Sequence, residues 1–334
     1  PPRSTLFPYT TLFRSNTISN IDIFALAYEL DAILKEGFID NIYEIPDRDL
    51  LIIKFRTKEG KRNLIIDPKK RINLTRFDYP IPPSPSQFIM GLRKYMNGRR
   101  IERVYQYKLD RILIFQLKSS EGNPWLFVIE FFGGGNFVLI NGEGLTHLAK
   151  SYKKLKDRDI LPKKNYEFPP TRGIDLFDLN YDLIVQSIKN GKGEIIRSIA
   201  RSFNIGGYLA EEFCIRAKIQ KNEDVSNLSD ENINEIAQVI DDFIQMVNGH
   251  DFSPMLLLDP DGQIIGFEPF DLLNYSHYKQ EKKQTLNEAV DDFFSKIDSE
   301  ILFSADIKKS NEQLTKSEKI LQKQIEKKIG RAHV

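Results

Sequence analysis

The chain has 334 residues, with 48 lysines and arginines against 47 aspartates and glutamates, a formal charge of +1, and a single cysteine, Cys214. That length holds about two domains with ample core; the balanced charge excludes a globally basic nucleic-acid binder, and the lone cysteine excludes disulfides and cysteine-based zinc sites. No run reaches the ~18 apolar residues needed to span a bilayer and no signal peptide is visible, so a cytoplasmic, reducing setting with no membrane partner is expected.

Both ends read as foreign. The first fifteen residues, PPRSTLFPYTTLFRS, translate codon for codon a common short-read sequencing adaptor, and residues 329–334 translate the opposite adaptor. Such scars are set aside before fold reasoning. They carry Arg3, Arg14 and Arg331 and no acid, so the remaining segment, 16–328, is slightly acidic. It is expected to be an internal fragment of a longer protein.

In chain order, Ser19-Asn-Ile-Asp22 reads as a helix start, a serine cap with a carboxylate three residues on. Ile23, Leu26, Ala27, Leu30, Ile33 and Leu34 then give a helical apolar stripe up to Gly37. Strands follow over 38–45, 50–56, 63–67 and 72–74, separated by Pro-Asp, Glu-Gly and Asp-Pro punctuation. A basic amphipathic helix is predicted over 87–97. Strands over 101–108, 111–118, 125–132 and 137–141 come next. Hairpin spacing favours an antiparallel sheet or sandwich over βαβ units. From 178 the pattern turns helical: 183–187, then 195–202 and 208–217 joined at Ile205-Gly206-Gly207 as a helical hairpin, then 231–247. A β-hairpin over 255–258 and 264–267 precedes a charged helix from Thr285. That helix carries Ile307, Leu314 and Leu321 seven apart, a weak coiled-coil seam that would project roughly 65 Å if unbroken.

Four constellations carry candidate chemistry. Asp110–Arg111 stands at the mouth of an apolar strand; arginine's planar fork suits phosphate or a base edge and the neighbouring carboxylate can orient it, but the commoner reading of such residues by themselves is a surface pair at a strand start. Arg93, Lys94, Arg99 and Arg100 could track an RNA backbone or be a solvated face. Gly133-Gly134-Gly135-Asn136 lacks the lysine and hydroxyl of a nucleotide loop and opens no helix, so it reads as a tight connection between core strands. Ile205-Gly206-Gly207 could offer amides at a helix start to phosphate, or be a plain helix–helix connection. Asp22 complements the first helix's dipole. The pairs Asp241-Asp242 and Asp291-Asp292 read as solvated and Cys214 as core. No catalytic set, cofactor motif or metal-ligand spacing is present.

The order of SNIDIFALAYEL, PIPPSPSQFIMGLRKYMNGRRI, LDRILIFQL, EFFGGGNFVLIN and FNIGGYLAEEFCIRA resembles the NFACT family of ribosome-associated quality-control factors, whose members are also described as nuclear-export mediator or fibronectin-binding-A-like proteins. The resemblance implies an α+β fold. A β-rich N-terminal domain (16–172), related to that of formamidopyrimidine-DNA glycosylases, comes first, then a helix-hairpin-helix module (173–250), a hairpin connector (251–284) and the start of a coiled-coil arm (285–328). It implies a non-catalytic factor that binds large ribosomal subunits obstructed by peptidyl-tRNA. Such a factor recruits charged tRNA, typically alanyl-tRNA, for tailing without mRNA, and works with a ubiquitin ligase or equivalent degradation factor. It implies tRNA engagement through Asp22, Asp110 and Arg111. The rivals are a DNA glycosylase-like enzyme, for which neither a proline nucleophile nor a four-cysteine finger is visible, and a fibronectin-binding surface protein.

Overall fold

The computed structural model describes residues 17–332 apart from 46–47, 120–121, 171–172 and 175, so the leading adaptor-like stretch and residues 333–334 lie outside the described residues. The first helix, α1 (Asn20–Leu34), is capped by Ser19 in a reciprocal box: the Ser19 hydroxyl accepts from the Asp22 amide and the Asp22 carboxylate accepts from the Ser19 amide. Nine of its fifteen residues are buried, more than the predicted stripe, because both faces are covered. One side packs on strands and the other on helices.

Four strands follow as a meander, β1 (Phe38–Ile45), β2 (Leu50–Thr57), β3 (Gly60–Asp67) and β4 (Arg71–Thr75), antiparallel throughout. Helix α2 (Gln87–Met96), capped by Ser86, leads to a second meander of β5 (Ile101–Gln106), β6 (Ile112–Leu117), β7 (Trp125–Glu130), β8 (Asn136–Ile140) and β9 (Thr146–Ala149). The predicted set of four thus gains a fifth strand. A bridge between Phe38 and Arg100 stitches the two sheets together. Alternation accounts for the buried faces: Ile112, Ile114, Val128, Val138 and Ile140 form one apolar cluster with Ala149 and Ile160. A two-stranded hairpin, β10 (Lys153–Lys154) and β11 (Asp159–Ile160), closes this half.

The helical part comprises α3 (Tyr181–Lys189), α4 (Ile195–Ser202), α5 (Gly207–Arg216) and α6 (Asp230–Asn248). Its core, with Ile199, Phe203, Leu209, Phe213 and Ile240, also takes in Ile21 of α1 and Leu109 of the β5–β6 turn. Strands β12 (Met255–Leu258) and β13 (Ile264–Glu268) form the predicted hairpin, but β14 (Lys279–Lys282) adds to the other edge of β12, making a three-stranded sheet. Helix α7 (Leu286–Ala332) then begins.

The start of α7 covers the edge of the first sheet. The Asn287 side chain accepts from the Leu74 amide at 2.6 Å and donates to its carbonyl at 3.1 Å, standing in for a neighbouring strand. Asp291, read from sequence as solvated, instead accepts from the Asn73 side chain and the Arg76 amide. A carboxylate there satisfies donors that an edge strand leaves open. Glu29 of α1 accepts from the amides of Leu286 and Asn287 at 2.7 and 2.8 Å, capping α7 from a distant helix. From Asp292 onward the chain forms a separate unit, a helix on which Ile301, Phe303, Ile307, Leu314, Ile320 and Leu321 are exposed.

Candidate functional site: a cleft built by three distant turns

A cleft of about 870 Å³ opens where the N-terminus of α1, the β5–β6 turn and the α4–α5 turn converge. Asp110 and Arg111 form one lip. Tyr107 O accepts from the Asp110 amide and Asp110 Oδ1 accepts from the Arg111 amide at 2.7 Å, which fixes the turn while leaving the Arg111 side chain exposed. Among the described residues the Arg111 guanidinium has no ion-pair or hydrogen-bond partner.

A hydrogen-bonded knot holds the three turns together. Asn20 Nδ2 donates to Leu109 O (3.1 Å) and to Asn204 O (2.8 Å). Gln106 Nε2 donates to Asn20 O (2.8 Å) and Asp110 O (2.7 Å). The Tyr208 hydroxyl donates to Ser19 Oγ at 3.2 Å. Asn20 is 8% exposed, so its amide works in a low-dielectric setting, where satisfied polar groups rigidify what they join. Asp22 is fully buried and does not line the cleft. It shapes the cleft through the Ser19 backbone that it holds.

Ile205, Gly206 and Gly207 form the opposite lip. Asn204 enters the turn with φ +51, the left-handed region that asparagine tolerates, and Gly206 caps α5 without a side-chain bond. Gly133 also lines the cleft. The glycine run is the β7–β8 connection, with φ of +59, +86 and +79 at Gly133, Gly134 and Gly135; a Cβ on Gly135 would meet Pro68 at 2.6 Å. Asn136 is 2% exposed: its Oδ1 accepts from the amides of Phe137 and Ser151 and its Nδ2 donates to Ser151 O. That is a structural turn whose first glycine borders the cleft.

The basic helix lies elsewhere. Arg93 donates to Ile42 O and sits 4.9 Å from the Tyr43 ring centroid. Arg99 donates to Tyr95 O, lies over Trp125 at 4.7 Å, and is lowered in pKa by burial. Arg100 pairs with Glu36 at 2.8 Å, and Lys94 lies 5.2 Å from the Tyr95 centroid. None of the four lines the cleft.

The cleft's remaining wall was not read from sequence. It is the tip of the β10–β11 hairpin, residues 155–158, facing Phe132 and the Pro169–Pro170 pair. Arg158 anchors it: the guanidinium pairs with Glu130 at 2.7 Å, both side chains 4% exposed, and donates to Tyr166 Oη and Glu167 O. The Tyr166 hydroxyl donates to the same carboxylate at 2.7 Å, and burial together with Glu130 pushes its pKa up. This wall's signal in the sequence is charge density. Residues 150–164, KSYKKLKDRDILPKK, hold seven lysines and arginines against two aspartates in a chain that is otherwise balanced. Among the described residues no group of His, Cys, Asp or Glu is arranged to hold a metal ion, and no helix is long and apolar enough to cross a membrane.

A sequence model for the family described as NFACT N-terminal and middle domains matches residues 19–332. The archaeal Rqc2 homolog aRqcH of Methanocaldococcus jannaschii is 30% identical over 320 residues, covering 92% of this chain and 47% of that protein. Ribosome quality control complex subunit 2 of Saccharomyces cerevisiae is 39% identical over 125 residues, 37% of this chain and 12% of that one. The chain thus spans about half the length of the archaeal relative and less of the yeast one. The structure of the N-terminal part of the fibronectin/fibrinogen-binding protein from Streptococcus suis matches with a TM-score of 0.67 at 19% identity, over 84% of this chain and all of that one, a likeness of fold.

Proposed function

The chain belongs to the NFACT family, and on that premise we propose that it is part of a ribosome-associated quality-control factor that grips RNA in the cleft and makes no bonds itself. In this reading it binds large ribosomal subunits still carrying peptidyl-tRNA and engages charged tRNA through Asp110 and Arg111, with Asp22 in support; peptide transfer belongs to the ribosome. The setting is cytoplasmic. A charged tRNA such as alanyl-tRNA and a degradation factor such as a ubiquitin ligase are the further partners. The exposed Ile307, Leu314 and Leu321 suit the start of a coiled-coil arm.

One observation carries the reading. Segments some ninety to two hundred residues apart in sequence, at 17–20, 109–111 and 204–208, are drawn to one cleft and tied there by Asn20, Gln106 and Tyr208, and the free guanidinium on its lip is Arg111. A planar fork held on a rigid turn and open to solvent suits phosphate or a base edge.

The test is the double variant Asp110→Ala, Arg111→Ala. Binding to total tRNA should be lost while the melting temperature falls by a few degrees at most, because neither side chain is part of the core and the one structural bond given up, from the Arg111 amide to Asp110, contributes about 1 kcal/mol. Unchanged affinity would remove the pair from the interface.

A further inference from the structure

The β10–β11 hairpin is small for an element that keeps a fixed place. Its strands have two residues each, too few to hold a hairpin by themselves. Yet Arg158, the last residue of its turn, is buried in an ion pair with Glu130 and shares that carboxylate with Tyr166, and Lys153 Nζ donates to Gly133 O at 3.2 Å. This anchoring presents Leu155, Lys156 and Asp157 on the cleft wall. Leu155 is 44% exposed, an apolar side chain left in water beside Phe132 and the two prolines.

Charge supplies the second observation. Of the basic residues in 150–164, Lys150 is taken by Glu44 and Asp49, Lys153 by Gly133 and Arg158 by Glu130. Lys154, Lys156, Lys163 and Lys164 are exposed and, among the described residues, their ammonium groups have no partner. Lys163 and Lys164 are fixed by backbone bonds to Thr146 of β9, from the Lys163 amide to Thr146 O and from the Thr146 amide to Lys164 O. Four unpaired cations on a rigid hairpin and the turn after it, in a chain of near-zero net charge, form a concentrated local field.

We propose that this hairpin and the lysine turn are a second, basic wall of an RNA site that Arg111 also borders. Lys156 meets a backbone phosphate inside the cleft, Leu155 lies against a base face, and Lys154, Lys163 and Lys164 carry the phosphate track beyond it. The inference rests on the RNA-binding reading above and extends it to residues that the family resemblance did not point to. Its ligand is a single-stranded or looped RNA, because a base face is needed for Leu155 as well as phosphates for the lysines.

The test is fluorescence anisotropy of a fluorescein-labelled RNA stem-loop across a salt series, with unaltered protein, Arg111→Ala, Lys156→Ala, and a variant with Lys154, Lys156, Lys163 and Lys164 all changed to alanine. Each lost phosphate contact should flatten the slope of log affinity against log salt by about 0.7. The single lysine variant should show about one such step and the quadruple variant several, with unchanged thermal melting. If the unaltered protein binds and Arg111→Ala weakens it while both lysine variants keep the original slope, the second wall is wrong and the RNA-binding reading stands. If the unaltered protein ignores the stem-loop at low salt, the reading itself falls and the second wall with it.

Discussion

Asp22 acts through the backbone. Its carboxylate is fully buried and holds the Ser19 amide at 2.6 Å, and Ser19 in turn receives the Tyr208 hydroxyl from across the cleft. Asp22→Ala should therefore lower stability by about 1 kcal/mol, the usual loss for a helix cap, and weaken tRNA binding with it. Asp22→Asn keeps an acceptor for Ser19 and should retain most of both. Denaturant melts alongside a binding titration check this. An asparagine variant that melts normally but no longer binds would mean that the negative charge itself contacts RNA. At Gly135, where φ is +79 and Pro68 lies in the path of a Cβ, the residue choice is steric. Asp110–Arg111 and the glycine run were both legible in the sequence, since each is a local pattern. Asn20 and Gln106 were not, because a lone amide carries no signal until the fold shows what it bridges.

Among elements, α1 organises the chain, and Glu29 shows how. Burial raises its carboxyl above the ordinary carboxylate value, and the amides of Asn287 and Leu286 pull it part of the way back. A raised folded-state value means that the folded protein holds this proton more tightly than the unfolded chain. The associated stability is present at acid pH and lost as pH rises from the ordinary carboxylate value, about 4.3, through the folded one. Glu29→Gln should flatten that fall in a series of urea midpoints and leave neutral-pH stability nearly unchanged. Glu29→Ala, which leaves two helix-start amides without an acceptor, should cost about 1 kcal/mol. The β10–β11 hairpin depends on its buried pair. Arg158→Met strands Glu130 in an apolar setting and should cost about 3 kcal/mol or more, whereas the double change with Glu130→Gln should cost clearly less, as urea melts would show. The long strands and the helices were readable because apolar periodicity marks them. β10 and β14 were not, since Lys153–Lys154 and Lys279–Lys282 have no apolar alternation and pair only because a neighbouring strand offers an edge. Helix α2 is legible as a basic amphipathic helix, and its charges with those just after it read from sequence as an RNA track or a solvated face. The structure gives Arg93, Arg99 and Arg100 a carbonyl of β1, a ring of β7 and the Glu36 carboxylate just after α1, partners remote in sequence that cannot be seen along one helix.

For the whole molecule, the near-zero net charge excluded a global RNA binder but hid an uneven distribution, with unpaired lysines gathered on one hairpin and the turn after it, and a free arginine on the lip of the same cleft. Fold class and family were legible because several ordered motifs agree. The site was legible only in its parts, as spacing along a chain does not give distance across it. The central claim is that three remote turns act as one RNA-binding surface. Amide hydrogen exchange with and without saturating tRNA tests it most directly. Bound RNA should slow exchange together at 17–20, 109–111 and 204–208. Protection confined to other segments, with those three exchanging as in the free protein, would contradict it.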